Sequence, residues 1–381
     1  MTQKKKIVHI INTLERGGAE MSLLRMLPLL NDAIESIFIT LEQKGSLAEQ
    51  FQSHGIQVIS LDQKNHLDLS SFKRLRKILA ELSPDLVITH LLYPDIVGRF
   101  FIQNFSHCKV ISSIATTYNS PRYLTARLFE RFTHPICAGY MANAHAVKQA
   151  YVEKFKVPEG KITVIQTGMD TNFFKTLEPK NSLRQELGIQ PDDMVVICVA
   201  NLHPNKGHQY LLEAFEQLHQ SPSPPFQGGE LKRGLKLLIV GDGDEKENLL
   251  HQIENYRSKK DILFLGQRSD VPDLLALSDI FALATFFEGM CNAIMEAMSF
   301  GIPIITTNIT ENKELVTEGD TGLLCPLRDS SSLAQAFTRL INNKELRIAM
   351  GNSAAKEMEE KYSLHITANR WKNFFVTQSE K

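Results

Sequence analysis

The sequence has little cysteine and no long apolar stretch. None of its apolar runs reaches the roughly 18 residues that a membrane-spanning helix requires, so we predict no transmembrane segment. The five cysteines among 381 residues include no Cys-x-x-Cys pair, which is typical of reduced thiols rather than of a disulfide framework or a zinc site. A signal-peptide cleavage pattern is missing after Lys4-Lys5-Lys6, and we therefore expect a cytoplasmic protein.

A strong excess of charge of one sign is missing as well. The formal net charge is −1, which argues against bulk attraction to nucleic acid, and we expect no nucleic-acid partner. Basic side chains nevertheless cluster in the first half of the chain. Two interpretations stay open for them: peripheral contact with the anionic inner face of a membrane, or ordinary solvated helix faces. The clustered residues are Lys73, Arg74, Arg76 and Lys77, and then Arg122, Arg127 and Arg131.

Short β-branched apolar runs alternate with amphipathic segments of helical length along most of the chain. This alternation is typical of an α/β fold with parallel sheets covered by helices on both faces. It pauses near residue 170 and then restarts, which predicts two doubly wound, Rossmann-like domains. Predicted strands are 7–11, 34–40, 57–61, 86–89, 110–114 and 162–165, then 195–199, 237–240, 262–265, 280–283 and 304–306.

The same pattern sets the predicted domain boundaries. We expect an N-terminal domain over residues 1–170, a linker over 171–180 and a C-terminal domain over 181–362, followed by a final segment at 363–381. Residues 220–234 are rich in Pro, Gly and Ser and interrupt the second domain. Such a composition does not support a packed structure, so a surface insertion is favoured there over a binding loop.

The most informative stretch lies in the second domain, after the buried strand 280–283. A break at Glu288-Gly289 leads into a short apolar helix that Asn292 is placed to cap and that Gly301 ends. Glu288 therefore falls in a strand-to-helix loop, and Glu296 falls about one turn into the helix. In an open parallel sheet that loop opens onto the ligand-binding edge, where free helix amides suit polar or anionic groups.

The two glutamates resemble the Glu-x7-Glu motif of retaining glycosyltransferases with the two-domain GT-B fold, in particular glycosyltransferase family 4 (the group 1 family). The resemblance implies two domains facing a cleft, with segment 363–381 forming a helix that returns to the N-terminal domain. It also implies transfer of a hexose-type sugar, with retention, from a UDP- or GDP-sugar to an acceptor hydroxyl. That acceptor would be a glycan, a lipid-linked molecule or a small molecule, and no cofactor or metal would be needed.

Two further loops resemble the family. The Gly17-Gly18 loop, which enters a helix, is similar to the family's Gly-Gly-Ala-Glu loop. The stretch from Asn201 to Lys206 is similar to the loop in which an arginine and a lysine hold the donor diphosphate, although Asn201 stands at the arginine position and His203 two residues later. The resemblance assigns catalytic roles to Glu288 and Lys206. It assigns substrate binding to Gly17, Gly18, Asn201, His203, Gly289, Met290, Cys291, Asn292 and Glu296.

Other signals leave alternatives open. Asp242-Gly243-Asp244 has the letters of an Asp-x-Asp metal motif, but its Gly-rich turn is similar to a family turn that binds no metal. The histidine that many relatives carry near residues 110–118 is missing, and His90, at the end of strand 86–89, is the nearest substitute by position. Asn201 and the missing histidine keep a sugar-nucleotide-binding protein without activity in view as a rival. An epimerase or phosphorylase is a second rival, because such enzymes share the fold.

Overall fold

The structure is a computed structural model that describes residues 4–65, 68–102, 108–116, 124–220 and 234–380. It divides into two compact units, residues 1–168 with 364–381 (unit 1) and residues 169–363 (unit 2). The segment predicted as a linker, 171–180, contains a short helix that belongs to unit 2. Most of the predicted insertion, 221–233, lies outside the described residues.

Unit 1 is built on a seven-stranded sheet in the order β3-β2-β1-β4-β5-β6-β7. Every pairing between its described strands is parallel. The strands are β1 (Lys5–Ile11), β2 (Ile34–Thr40), β3 (Gln57–Ser60), β4 (Leu86–His90), β5 (Lys109–Ile114), β6 (Gly139–Ala142) and β7 (Ile162–Val164). Strands β1 and β4 are buried almost along their full length, as expected for a parallel sheet with helices on both faces.

Helices cover both faces of this sheet because right-handed crossovers change face where the strand order reverses. The helices are α1 (Gly18–Met26), α2 (Ala48–Ser53), α3 (Leu69–Leu82), α4 (Leu92–Val97), α5 (Leu124–Thr133), α6 (His145–Phe155) and the C-terminal α16 (Leu364–Glu380). Apolar side chains of α1, α2 and α16 share one core cluster, to which α16 contributes Trp371, Phe374 and Phe375. Helix α3 and the π-helical turn Gly98–Ile102 form a second cluster, on the opposite face.

Unit 2 repeats the design with a six-stranded sheet in the order β10-β9-β8-β11-β12-β13. Its strands are β8 (Met194–Val199), β9 (Leu235–Val240), β10 (Ile262–Gly266), β11 (Ile280–Leu283), β12 (Ile304–Thr307) and β13 (Gly322–Cys325). Its helices are α7 (Thr171–Lys175), α8 (Asn181–Glu186), α9 (His208–Gln220), α10 (Lys246–Gln252), α11 (Val271–Ala276), α12 (Asn292–Ser299), α13 (Thr310–Lys313), α14 (Ser330–Ile341) and α15 (Lys344–Tyr362). Strands β9 and β10 lie on one side of β8, and the chain then crosses to the other side to form β11. The carboxyl ends of β8 and β11 therefore adjoin the switch point, which is where α/β proteins bind ligands.

The predicted fold class, α/β with two doubly wound parallel sheets, is confirmed. Each predicted strand is present within one or two residues of its predicted bounds. Strands β6 and β13 are present in the structure but were not predicted from the sequence. Within the described residues no helix is long and apolar enough to cross a membrane.

Candidate active site

The first half of the site is the turn that follows β8. His203 begins a single 3-10 turn, Pro204–Lys206, and its ring Nδ1 accepts a hydrogen bond from the Asn205 backbone N–H at 3.2 Å. Gly207 then adopts a left-handed conformation, with φ of 65°, and helix α9 starts at His208. The His203 ring thus stabilises the turn that presents Lys206, whereas Asn201 is exposed.

The second half is the loop between β11 and α12, and Asn205 joins it to the first. The Asn205 carbonyl oxygen accepts hydrogen bonds from the Phe286 backbone N–H at 2.8 Å and from the Thr285 hydroxyl at 3.1 Å. The Asn205 side-chain amide also donates to the Phe287 carbonyl at 3.5 Å. One side of this loop is therefore fixed to the Lys206 turn through a single residue.

Gly207 allows the two loops to approach this closely. A Cβ atom added at Gly207 would lie 2.1 Å from the Ala284 carbonyl oxygen, far inside van der Waals contact. Its positive φ also disfavours any L side chain. The close approach to Ala284 and the positive φ therefore both favour glycine at position 207.

These constraints bring the two predicted catalytic residues together. The Lys206 ammonium nitrogen lies 2.6 Å from Glu288 Oε1, and both side chains are mostly buried, with 20% and 11% of their surface exposed. Burial by itself lowers the pKa of Lys206, but the Glu288 carboxylate outweighs burial and the net pKa is raised. Lys206 therefore carries a positive charge in a poorly hydrated place, where charges act strongly on one another.

The N-cap of helix α12 lies one residue earlier than the sequence predicts. The prediction that Asn292 caps it is wrong: Cys291 is the N-cap, it makes no side-chain capping bond, and Asn292 is the first helical residue. A carboxamide one position into the helix is past the place where its oxygen can accept from the first turn. Gly301 ends the helix with φ of 69°, as predicted.

The remaining predicted residues of this stretch surround the ion pair or follow it. Gly289 is half-buried and Met290 is buried, with Cys291 next to Lys206 and Glu288. Burial, reinforced by the Glu288 carboxylate, raises the pKa of Cys291 to about 12, so this thiol stays neutral. Glu296 is half-buried on α12, just over one turn after Asn292.

Residues 16–173 match the sequence profile described as Glycosyltransferase Family 4, and residues 179–357 match the one described as Glycosyl transferases group 1. The UDP-Gal:alpha-D-GlcNAc-diphosphoundecaprenol alpha-1,3-galactosyltransferase of Escherichia coli is 30% identical over 301 residues, which cover 76% of this chain and 74% of that enzyme. The chain belongs to the group 1 glycosyltransferases of family 4.

Two further matches cover nearly the whole length of this chain. The N-acetylgalactosamine-N,N'-diacetylbacillosaminyl-diphospho-undecaprenol 4-alpha-N-acetylgalactosaminyltransferase of Campylobacter jejuni is 22% identical, over 92% of this chain and 94% of that enzyme. The crystal structure of Anabaena Alr3699/HepE in complex with UDP and glucose matches with a TM-score of 0.84 at 21% identity, covering 98% of this chain and 100% of that one. The GT-B fold predicted from the motifs is thereby confirmed.

The glycine pair of this glycosyltransferase lies in unit 1, at the start of α1. Gly17 is the N-cap and Gly18 the first helical residue. The Glu20 carboxylate folds back beside them, 2.4 Å from where a Gly17 Cβ would be. Burial raises the pKa of Glu20. An anionic ligand would meet that carboxylate at this helix start.

His90 does not stand exposed at its strand end. It is buried, and its Nε2 lies 3.0 Å from Nδ1 of the buried His9 on the neighbouring strand β1. Burial lowers the pKa of His90 to about 3 and the pKa of His9 well below its ordinary value, so the glycosyltransferase holds both rings neutral. This pair is part of the packing of unit 1.

The Asp242-Gly243-Asp244 turn packs against the loop that follows β8. Gly241 lies so close to Ala200 that an added Cβ would come within 2.0 Å of the Ala200 carbonyl oxygen. Asp242 forms an ion pair with Lys246 at 3.3 Å, and its carboxylate accepts from the Gly243 N–H. In the described parts of the chain no three His, Cys, Asp or Glu side chains are grouped as metal ligands would be.

Sequence reasoning missed Asn205 and Thr285, which position the two loops of the glycosyltransferase. Thr285 is fully buried, and its carbonyl oxygen accepts from the Thr307 hydroxyl on β12. Asn312 in turn donates to Thr306 and Thr307, so a buried polar chain supports the Glu288 loop from behind. Asn205 and Thr285 are 80 residues apart in the sequence, so no local sequence pattern predicts their contact.

Proposed function

We propose that this glycosyltransferase moves a hexose-type sugar, with retention of configuration, from a UDP- or GDP-sugar to a hydroxyl of a lipid-linked acceptor. The observation that carries the proposal is the mostly buried Lys206–Glu288 pair, held where the loops after β8 and β11 meet. A cation and a carboxylate in one poorly hydrated place suit a donor with an anionic leaving group and a hydroxyl-rich sugar.

Lys206 supplies the charge that the reaction needs. When the bond from the anomeric carbon to the diphosphate breaks, negative charge grows on the phosphate oxygens and positive charge on the sugar ring. A fixed cation that is already desolvated stabilises that phosphate charge without reorganising solvent. The Asn205 hydrogen bonds and Gly207 hold the backbone that carries Lys206, so little backbone mobility is left to lose on binding.

The glutamates take separate roles in this proposal. Glu288 exchanges its ion pair with Lys206 for a hydrogen bond to a sugar hydroxyl near the reacting carbon, while Lys206 turns to the diphosphate. The amides at the start of α12 hold other polar groups of the donor. Glu296, just over one turn further along α12, accepts hydrogen bonds from the ribose hydroxyls. The acceptor oxygen attacks on the face from which the diphosphate leaves and passes its proton to a diphosphate oxygen, so the anomeric configuration is retained.

The lipid-linked acceptor is proposed from the relatives. The names of the Escherichia coli and Campylobacter jejuni enzymes both specify a sugar carried on diphospho-undecaprenol, and the second match spans almost the full length of both chains. The donor class is supported by HepE, whose structure contains UDP and glucose. We place the reaction at the cytoplasmic face of a membrane, where such an acceptor is anchored.

A donor screen followed by a transfer assay tests the proposal. Thermal shift with UDP-, GDP- and ADP-sugars identifies the donor, because a ligand that binds the folded state raises its apparent stability. Transfer to a sugar-diphospho-polyprenol in detergent, with the product's anomeric proton coupling read by NMR, then tests acceptor and stereochemistry together. Stabilisation by a donor without transfer or hydrolysis would favour a sugar-nucleotide-binding protein, and an inverted product would refute retention.

A further inference from the structure

Unit 1 exposes large apolar side chains on one group of neighbouring segments. Phe132 is 74% exposed, Leu128 50% and Phe100 47%. Leu128 and Phe132 are four residues apart on α5 and so share one helix face. Phe100 lies in the π-helical turn Gly98–Ile102, and its ring centroid is 6.0 Å from that of Phe129 on α5. The π-helical turn and α5 therefore adjoin each other, and both expose large apolar side chains.

The same π-helical turn also borders a basic cavity. A cavity of roughly 350 Å³ lies between α3 and this turn, with Lys73, Arg76 and Lys77 on its α3 side. Phe101 and Ile102 supply part of its apolar wall, and Phe101 stacks on Phe72 of α3 at 4.1 Å between ring centroids. The spacing of the three cations by three and four residues puts them on one face of α3.

The acidic residues of α3 and α5 do little to offset Lys73 and Lys77. Glu81 is the acidic side chain of α3, and its ion pair with Lys77, 3.9 Å apart, is highly exposed and therefore weak. Glu130 of α5 is fully buried and forms two hydrogen bonds with the buried Arg99, at 2.9 and 3.1 Å. The exposed face of α5 instead carries Arg131 beside Phe132. Cations on α3 and exposed apolar groups on the π-helical turn and α5 thus lie on adjoining elements.

We propose that this basic–apolar surface, formed by Lys73, Arg76, Lys77, Phe100, Leu128 and Phe132, docks unit 1 on an anionic lipid bilayer. The aromatic and aliphatic side chains enter the boundary between headgroups and acyl chains, and the α3 cations contact lipid phosphates. Charge decides the occupant. A second copy of this chain joined through a two-fold axis would bring the same cations face to face, whereas an anionic membrane complements them.

The biological purpose of this surface rests on the proposed lipid-linked acceptor, since docking would hold the enzyme on the membrane that carries its substrate. Binding to lipid is nevertheless a physical property that vesicles alone can measure. The test uses the full-length chain and unilamellar vesicles of phosphatidylcholine, with or without about one third phosphatidylglycerol, sedimented at physiological salt.

Two double variants separate the parts of the surface. Leu128→Ser with Phe132→Ser removes the apolar contact, and Lys73→Glu with Lys77→Glu reverses the charge. Each is expected to weaken binding to anionic vesicles about tenfold or more. Each basic residue near such a surface contributes about a factor of five, and each apolar side chain withdrawn from water contributes at least as much. Matched controls in unit 2 are Phe173→Ser and Ile348→Ser, which are 47% and 53% exposed, and Lys356→Glu. The controls are expected to stay within twofold of the wild-type chain.

Several outcomes would overturn the inference. These are equal binding to neutral and anionic vesicles, equal loss in the controls, or no vesicle binding at all. Release from vesicles by millimolar glycerol phosphate would instead assign the cavity to a free phosphate ester. Dimerisation in the ultracentrifuge that Phe132→Ser abolishes would assign the surface to a second copy. Circular dichroism melting of each variant shows that it is folded.

The two proposals fail separately. Sugar transfer in detergent together with an absence of vesicle binding would refute the membrane surface and leave the proposed function intact. Vesicle binding that both double variants abolish, together with an absence of transfer, would support the surface and refute the proposed reaction. Donor affinity, measured by calorimetry, is expected to be unchanged in both double variants.

Discussion

Lys206 and Glu288 are 82 residues apart in the sequence, and their charged ends are 2.6 Å apart in the structure. Each lies at the carboxyl end of a central strand of unit 2, after β8 and after β11. Both side chains are mostly buried. If one of them were removed, the charge of the other would remain poorly solvated. Any ligand that takes Lys206 away from Glu288 must offer it an equivalent anion, which a diphosphate does.

Substitutions in this pair should separate binding from turnover. Glu288→Gln is expected to lower kcat about tenfold to hundredfold, because the proposed partner of Glu288 is the sugar beside the reacting carbon. Nucleoside diphosphate affinity should hold or rise, since Lys206 no longer has to leave a carboxylate to bind it. Lys206→Ala is expected to reduce both, since the diphosphate is charged in the ground state and more so in the transition state. Calorimetry with the free nucleoside diphosphate and steady-state transfer kinetics measure the two effects.

The control for this prediction is Glu345→Gln, an exposed glutamate on α15 in the same unit. It should leave both constants within the small range of ordinary surface substitutions. Unchanged kcat in Glu288→Gln would remove that residue from the mechanism and with it the central role proposed for the pair.

Glu296→Gln should give the opposite split from Glu288→Gln. A charge-assisted hydrogen bond from ribose to a carboxylate contributes about 1.5–3 kcal/mol, so its loss should weaken nucleoside diphosphate binding roughly tenfold to hundredfold. At saturating donor kcat should change much less, because the ribose is remote from the breaking bond. Calorimetric titration of this variant with the nucleoside diphosphate measures the change in affinity. An affinity equal to that of the wild-type chain would mean that the ribose does not bind at Glu296.

The sequence predicted the sheets and the Glu288 loop but not the contacts that complete the site. Strand patterns and family motifs are local, and residues 280–301 contain a strand, a loop and a helix in one continuous stretch. Strand β6, Gly139–Ala142, was missed because four residues beginning with glycine give no period, and pairing with β5 and β7 stabilises it. The pairs Lys206–Glu288 and His9–His90 depend on strand order, which a single sequence does not encode locally.

Activity should survive chelation of divalent metals. Asp242, the first carboxylate of the Asp-x-Asp sequence, is paired with Lys246 and accepts from its own turn. The cation at Lys206 can neutralise the donor's diphosphate in place of a metal ion. Transfer rates measured with and without EDTA should agree within twofold, and Asp242→Asn should retain most activity. Loss in EDTA with recovery on adding Mn²⁺ or Mg²⁺ would contradict this prediction.

Gly207→Ala should damage both stability and turnover. The new methyl group would meet the Ala284 carbonyl at 2.1 Å, and φ of 65° adds backbone strain. Gly188→Ala is the matched control, because Gly188 has the same φ of 65° with no atom within 4 Å of an added Cβ. We expect the control to lose about 1–2 kcal/mol of stability from strain alone, and Gly207→Ala to lose distinctly more. Chemical unfolding of both variants measures the difference, and equal losses would show that the close approach to Ala284 is unimportant.

The buried pair of histidines in unit 1 should make stability depend on pH. Burial lowers the pKa of His90 to about 3 and lowers the pKa of His9 well below its ordinary value, with the nearby His90 contributing. Both folded-state pKa values are below the unfolded value of about 6.5, so the unfolded chain binds more protons as pH falls. Unfolding should therefore become easier below about pH 6.5, by about 1.4 kcal/mol per pH unit for each histidine, until the folded-state pKa is reached.

Replacing one ring should remove its share of that dependence. His90→Gln keeps a polar side chain next to His9, and its free energy of unfolding should fall less steeply between pH 6.5 and 4.5 than that of the wild-type chain. The single tryptophan, Trp371, reports on this unit, because it packs against Phe375, whose ring lies 6.1 Å from that of His9. Urea unfolding followed by Trp371 fluorescence at both pH values makes the measurement. His251→Gln, at a highly exposed histidine of α10, is the control and should keep the wild-type slope. Equal slopes in all three proteins would mean that the buried histidines are protonated in the folded state.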